Sequence, residues 1–365
     1  MKARLVLPSI ILAGLVLAFL DLVWLDTYRY PIAMPDFFVY YRAAQIGQAH
    51  GWIAMYDPSV FLPAIRDVLN RPLPYLNPPQ LAWLVIPLSW LPYSAAAWIW
   101  RGILGSALVL TCFLAAPGKG RTRLLHGTAV ALLLPVFISF AFGQVSLIIT
   151  AALAMSWWLI RQDRPWLAGI VLALTILKPQ AAFLVPLALL TAGYWQVFLS
   201  WLGASLMMAG VGLLAVGPSV FSKAAESIAI AQGVPGPVQM SLERQFPLPL
   251  ALIAISAMLA TAALVAWRTR SHGPSIPLAA GIVVSMLASP YMNFYDLSAV
   301  VLAGWLVLQT SPPRWQASMT YAMYLPLYLA PVLPSLTAVC AAAWLLSLLR
   351  LPPPATFVAE TELAA

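Results

Sequence analysis

Hydrophobic stretches long enough to cross a membrane follow one another along most of the chain, with short polar loops between them. A helix needs about 20 apolar residues to cross the hydrocarbon core of a bilayer. Stretches near that length cover residues 5–25, 94–116, 124–142, 144–160, 194–216, 247–267, 275–291, 295–310, 316–332 and 334–351. Between 165 and 191 the apolar run is broken at Lys178-Pro179, which predicts a pair of short helices. The pattern predicts an all-α polytopic membrane protein with about twelve segments, counting that pair as two.

Two stretches need a separate interpretation. The run from Leu5 to Leu25 follows Lys2 and Arg4 and is longer than the apolar core of a cleaved signal peptide, so it is predicted to remain as the first helix. Residues 79–93 are apolar but short and rich in proline, which favours a re-entrant or interfacial piece.

Composition supports the membrane assignment. The chain has 62% hydrophobic and 8% charged residues, against about 25% charged residues in soluble domains. The net charge of +8 comes from basic residues scattered over short loops, which is typical of topology signals and not of a nucleic-acid-binding patch. Cys112 and Cys340 lie inside apolar runs and read as small buried hydrophobes.

The basic residues predict the orientation. If the N-terminus is cytoplasmic, the inner loops contain a single acid outside the C-terminal tail, and their basic residues are Lys2, Arg4, Lys119, Arg121, Arg123, Arg161, Arg164, Arg268, Arg270, Arg314 and Arg350. We therefore predict one integral membrane domain over 1–351 in the cytoplasmic membrane, a cytoplasmic tail over 352–365, and both termini inside. The long loops 26–80 and 217–246 then lie outside.

The two outer loops differ in character. The first contains two predicted amphipathic helices, 36–50 and 58–70, beside Trp52, Tyr56 and Tyr75, residue types that favour the membrane interface. The second is rich in glycine and proline and is interpreted as a gate or lid.

Polar groups that a membrane tolerates poorly collect at the predicted outer ends of five segments, where they indicate a functional site. They are Asp36, Arg101, Gln144 in a Phe-Gly-Gln break, Lys178, and the run "SPYMNFYDL" with Asn293, Tyr295 and Asp296.

Each of these residues has a structural alternative. Asp36 opens a helix after Pro35, so it either complements the helix dipole or acts on a substrate. Tyr40 shares its face, whereas Tyr41 and Arg42 lie on other faces and serve either the site or the membrane interface. Gln144 either bridges helices or binds substrate, and Asp296 either pairs with Lys178 or Arg101 or contacts substrate. Lys178 has little room to reach water, which favours anion binding.

A carboxylate, cations and tyrosines in a membrane cavity suit group transfer from a lipid phosphate. The carboxylate would be a general base on an acceptor hydroxyl, and the cations would stabilise charge on the departing phosphate. The chain has no DxD pair, HExxH or P-loop motif, so neither a nucleotide sugar nor ATP is favoured as donor. No cofactor is required, although Asp36 and Asp57 could share a divalent cation. The alternatives are a transporter or flippase for a lipid-linked sugar, which broken helices also fit, and a structural membrane subunit.

The stretch "DFFVYYRAAQIGQAHGWIAMYDP" followed by "NPPQLAWLVIPLSWLP" resembles a family of bacterial membrane glycosyltransferases typified by polyprenyl-phosphate-mannose-dependent α-mannosyltransferases. The resemblance continues through "FGQVSLII", "RPWLAGIVLALTILKPQAAFLVPLALL" and "SPYMNFYDL" and weakens after about residue 310. It implies a GT-C fold, an outward-facing active site, a polyprenyl-phosphate sugar donor, a lipid or glycan acceptor and an inverting mechanism. In this family an aspartate of the first outer loop is the base, and Asp36 occupies that position.

Overall fold

The computed structural model describes residues 14–23, 25–26, 30–70, 72–233 and 242–351, and every regular element within them is helical. The α-helices are α1 (Gly14–Val23), α2 (Pro35–His50), α3 (Pro58–Leu69), α4 (Pro79–Ser89), α5 (Tyr93–Ala115), α6 (Gly120–Ala131), α7 (Leu134–Phe142), α8 (Ser146–Arg161), α9 (Pro165–Leu172), α10 (Val185–Thr191), α11 (Trp195–Val216), α12 (Val220–Gly233), α13 (Leu242–Gln245), α14 (Leu248–Arg268), α15 (Ser275–Ala288), α16 (Ser298–Leu308), α17 (Arg314–Leu329) and α18 (Pro334–Ser347). Short 3₁₀ turns occupy Trp52–Tyr56, Ala173–Leu177, Pro179–Ala181, Arg270–His272, Phe294–Leu297 and Leu348–Arg350.

The membrane character predicted from the sequence is supported, and the all-helical class is confirmed. Within the described ranges, α5, α11 and α14 are long and apolar enough to cross a bilayer, and α6 and α7 would form a fourth span if taken together despite a 66° bend. Most other predicted segments appear as apolar helices of 10–17 residues. The count of twelve spans therefore stays a prediction, because breaks at proline and glycine shorten many of the helices.

Parts of three predicted segments fall outside the described residues. These are the start of the first apolar run (5–13), the centre of the predicted lid (234–241), and the tail (352–365).

The first outer loop is folded differently from the interfacial arrangement that its sequence predicts. Helix α3 is amphipathic as expected, because its buried residues Phe61, Ile65 and Leu69 recur every four positions. Helix α2 is instead buried on almost every side and packs against α4. Tyr56 and Tyr75 are also buried, with exposures of 4% and 0%. The prediction of interfacial positions for these two tyrosines and for α2 was wrong, because apolar residues occupy both faces of α2.

One turn fixes the position of α2 relative to the next helices. Gly143 has a φ of 79° between α7 and α8, and a Cβ atom built there would lie 2.7 Å from the Cβ of Phe37. Trp100 of α5 stacks on Phe37 at 5.0 Å between ring centroids and donates its indole N–H to the Gly143 carbonyl at 2.8 Å. Only glycine suits both the left-handed backbone and this close approach. The packing holds the following residue, Gln144, beside the start of α2.

Contacts at the two ends of the bundle show how the helices alternate in direction. Trp157 near the end of α8 bonds Ser275 at the start of α15, at 2.9 Å, while Thr150 near the start of α8 approaches Ser298 of α16 at 3.3 Å. Gln309, after α16, donates to the carbonyl of Ala115 at the end of α5, at 3.1 Å. The starts of α8 and α16 and the end of α15 therefore lie at one end of the bundle.

Candidate active site

Four breaks between helices meet at that end of the bundle and bring together polar side chains that are far apart in sequence. Asp36 lies in the first turn of α2, Gln144 in the turn before α8, Lys178 between two 3₁₀ turns, and Asp296 in the turn before α16. Each side chain stands where a helix begins or is interrupted, so that its backbone is not committed to a continuous helix. The convergence predicted for these four residues is present in the structure.

Gln144 is the central residue of the cluster. Its amide nitrogen donates to Oδ2 of Asp36 at 2.5 Å. Its amide oxygen accepts two hydrogen bonds, from the Tyr40 hydroxyl at 3.0 Å and from the Lys178 ammonium at 2.7 Å. Gln144 is only 4% exposed. One buried amide thus fixes the carboxylate, the phenol and the ammonium group relative to one another.

Lys178 and Asp296 form a buried ion pair through Nζ and Oδ1. The same Asp296 oxygen accepts from the Ser146 hydroxyl at 2.8 Å, and Oδ2 accepts from the backbone N–H of Asn293 at 3.2 Å. Lys178 also donates to Ser146 at 3.3 Å, which is its longest hydrogen bond. Because buried charges persist when they are paired and hydrogen-bonded, this pair keeps an ammonium group next to Asp36.

A small pocket opens above the cluster. Its volume is about 80 Å³, and its polar lining consists of Asp36, Tyr40, Asn77, Gln144, Lys178, Gln180, Tyr291, Asn293 and Tyr295. Typical ligand pockets measure ~300–1,000 Å³, so the pocket is small for a ligand site. Ala231 of α12 forms part of its wall.

Asn293 connects two tyrosines that line this pocket. Its amide nitrogen donates to the hydroxyls of Tyr295 at 2.5 Å and Tyr291 at 3.3 Å. The Asn293 side chain and the Asp296 carboxylate also form a capping box at the turn before α16, in which Oδ2 of Asp296 accepts from the backbone N–H of Asn293 at 3.2 Å. Asn293 therefore both shapes this turn and links the two tyrosines.

The electrostatics of the pocket favour proton transfer at Asp36. Burial raises the pKa of this carboxyl to about 6, against the opposing effects of the Lys178 charge and the Gln144 hydrogen bond. A carboxylate that titrates near neutrality and remains partly exposed suits general base catalysis.

Three candidate residues lie outside the pocket. The Tyr41 hydroxyl donates to the Leu91 carbonyl at 2.7 Å, and Arg42 donates to Gln45 at 2.8 Å. Successive residues turn by about 100° around a helix, so these two face away from Tyr40. The guanidinium of Arg101 lies 4.7 Å from the ring centroid of Trp98 and lines a different cavity of about 610 Å³.

Asp57, the proposed second ligand for a shared cation, has other partners. It accepts from the backbone N–H of Ser59 at 3.0 Å at the start of α3 and forms an ion pair with Lys223 of α12. These contacts lower its pKa to about 2, with the hydrogen bond from Lys223 as the largest cause. Among the described residues, no three His, Cys, Asp or Glu side chains are grouped to hold a metal ion.

Several residues of the site were not among those singled out individually in the sequence. Ser146 bonds both members of the ion pair, while Asn77, Gln180 and Ala231 line the pocket. Ser146 and Gln180 each stand two residues beyond a predicted site residue, so polar neighbours of a helix break were the available signal. Ala231 carries no polar atom, so the sequence contained no signal for its place in the site.

Comparison with known proteins gives one match. The profile of glycosyltransferase family 87 matches residues 75–290, which is more than half of the chain and includes Gln144 and Lys178. No curated protein and no solved structure matches the chain.

Proposed function

The chain belongs to glycosyltransferase family 87, and on that premise we propose that it moves a hexose, mannose in the first instance, from a polyprenyl-phosphate donor to a lipid or glycan acceptor. In this proposal the protein has the GT-C fold, and the reaction inverts the anomeric centre. It takes place at the outer face of the cytoplasmic membrane, with both termini inside.

The observation that carries the proposal is a partly exposed carboxylate held beside a buried ammonium group in one pocket. Gln144 contacts Asp36 and Lys178 at the same time. It therefore holds the proposed base and the cation close together without a direct ion pair between them. Transfer from a sugar phosphate needs these two functions at one place, because the acceptor must lose a proton while negative charge grows on the departing phosphate.

Asp36 acts as the general base in this scheme. It takes the proton of the acceptor hydroxyl as that oxygen attacks the anomeric carbon of the donor sugar. The new glycosidic C–O bond forms while the bond between the anomeric carbon and the phosphate oxygen breaks. The electron pair of the broken bond leaves with the polyprenyl phosphate.

Lys178 stabilises the phosphate that leaves. Its long hydrogen bond to Ser146, at 3.3 Å, is the contact most easily exchanged for a phosphate oxygen. Asp296 and Gln144 hold the ammonium group in place and are positioning residues. Arg42 and Arg101, which are turned away from the pocket, have no direct part in this step.

Asn293, Tyr291 and Tyr295 are the candidate sugar-binding residues. The side-chain amide of Asn293 would form hydrogen bonds with a sugar hydroxyl, and the faces of the tyrosine rings suit the apolar face of a sugar. The pocket is too small for a hexose, so we propose that α12, which contributes Ala231 to its wall, moves away when the sugar binds. Helices α12 and α13 are the described helices of the proposed lid over 217–246.

The test uses purified protein in lipid and polyprenyl-phosphate-mannose labelled in the sugar. We expect the wild type to transfer label to membrane-lipid acceptors and Asp36→Asn to transfer at least about a hundredfold more slowly, with donor binding retained. Arg42→Gln is the matched control on the same helix and should keep its activity. Equal transfer by wild type and Asp36→Asn would exclude Asp36 as the base.

A further inference from the structure

An apolar groove lies next to the candidate active site and is not used by the chemistry described above. It runs between the start of α4, the second half of α11 and the start of α12, and we call it the α11 groove. Its volume is about 450 Å³, and its lining includes Pro79, Ile176, Leu206, Gly210, Leu213 and Phe221. The amide nitrogen of Gln80, at its edge, is engaged with the Met208 carbonyl at 2.6 Å.

Three separate segments of the chain line both the groove and the active-site pocket. Asn77 lines the pocket and Pro78 the groove; Lys178 lines the pocket and Ile176 the groove. Helix α12 contributes its first residues to the groove and Ala231, three turns later, to the pocket. The two cavities are therefore neighbours, and Lys178 of the pocket is two residues from Ile176 of the groove.

The groove is open towards the lipid. Helix α11 is one of the helices long and apolar enough to span the bilayer, and few of its residues are buried. Leu206 and Phe221 are 63% and 69% exposed, although both are apolar. Surfaces of this kind contact hydrocarbon in a membrane, so the groove is accessible to a lipid chain from the bilayer.

We propose that the α11 groove holds the isoprenoid chain of the lipid-phosphate donor, with the phosphate at Lys178. This inference rests on the proposed function and adds where the isoprenoid chain of the donor binds. The groove has room for roughly fifteen groups the size of a water molecule, as many as the carbon atoms of about three isoprene units. The larger cavity beside Arg101 suits such a chain less well, because Asp26 and Arg101 both line it.

The groove acts by directing the chain. The surrounding lipid is as apolar as the groove, so entering it brings little hydrophobic gain. What the groove provides is a fixed path that brings the phosphate to Lys178 and the anomeric carbon within reach of Asp36. Misplacement of reacting groups by about 1 Å can slow a reaction by about a hundredfold. Blocking the groove should slow transfer for the same reason.

Two glycines of α11 provide a matched pair of variants. Gly210 lines the groove and Gly203 does not, and a Cβ atom at either position meets nothing within 4 Å. They are seven residues apart and thus lie on nearly the same face of the helix, about 10 Å from each other. Replacing either glycine with phenylalanine should favour the helix slightly. Only Gly210→Phe places a ring in the groove.

The experiment compares a long-chain polyprenyl-phosphate sugar with a short-chain analogue carrying the same sugar phosphate. For Gly210→Phe we expect the ratio of kcat/KM for the long-chain to that for the short-chain donor to fall at least about tenfold. For Gly203→Phe the ratio should match the wild type. Equal ratios in all three proteins would overturn the inference, whereas failure of the wild type to use either donor would count against the proposed function itself.

A second measurement does not depend on the variants. A polyprenyl phosphate with a photoreactive group in its chain is bound to wild-type protein and irradiated, and the labelled peptides are identified. Labelling of α11 and α12 supports the groove. Labelling confined to α1, α5 and α7, which border the cavity of Arg101, would place the chain there and refute the proposal.

Discussion

The carboxyl group of Asp36 allows one prediction about activity and stability together. Its pKa is raised from 3.8 to about 6, chiefly by burial. A raised pKa means that the folded protein binds this proton more tightly than the unfolded chain does. The stability that protonation confers is complete below about pH 4 and is lost as the pH rises through 6. At about 1.4 kcal/mol per pKa unit, the ionised form costs the folded protein about 3 kcal/mol above pH 7.

Asp36→Asn removes the charge and keeps an oxygen for the hydrogen bond from Gln144. We therefore expect the variant to be more stable than the wild type by up to about 3 kcal/mol at pH 8, and by only about 1 kcal/mol at pH 4.5. The same titration should control catalysis. The kcat/KM of the wild type should rise with pH through an apparent pKa of about 6.

The assay is denaturation of both proteins in one lipid or detergent system at the two pH values, beside a pH profile of the wild type. A stability difference that is the same at pH 4.5 and pH 8 would refute the electrostatic explanation. An activity profile that rises near pH 4 would show that Asp36 is not desolvated in the working enzyme.

Further predictions concern the ion pair, the turn before the site and the lid. Lys178→Met should lower the free energy of unfolding by about 3–5 kcal/mol, because it leaves the buried Asp296 carboxylate unpaired. Adding Asp296→Leu should restore part of this stability. A double variant no more stable than Lys178→Met would contradict the prediction. Gly193→Ala should lower the free energy of unfolding by about 1–2 kcal/mol, because alanine is strained in the left-handed backbone there. Gly143→Ala should lower it further in the same denaturation assay, because the added Cβ atom would also overlap Phe37. Lys223→Met should change stability by less than about 1 kcal/mol yet speed hydrogen exchange in α12, and unchanged exchange would mean that its ion pair does not hold the lid.

Residues whose chemistry conflicts with a membrane were the most informative part of the sequence. Asp36, Lys178 and Asp296 stand out because a charge in an apolar segment needs a partner or a function, and the structure brings all three to one place. The helical class followed from the length of the apolar runs for a similar reason. A long hydrophobic run indicates by its composition that the segment lies in a membrane and not in water.

The sequence was less informative wherever the answer depends on which neighbour an element meets. Helix α2 is predicted as an amphipathic helix at the membrane interface, yet it is buried on almost every side and packs against α4. Arg101 lies on a helix that borders the site, and the rotation of α5 about its own axis turns it into another cavity. Such rotations are set by packing contacts such as that of Trp100 on Phe37.

The position of Gln144 between two carboxylates also determines where protons travel. An amide group donates and accepts hydrogen bonds but does not pass a proton on, so the bridge from Asp36 through Gln144 to Lys178 and Asp296 acts as an insulator. Under the proposed mechanism, the proton that Asp36 takes from an acceptor would then leave by the pocket mouth. Each catalytic cycle would release its acid on the side of the membrane where the sugar is transferred, and the interior of the bundle would take no part in proton movement.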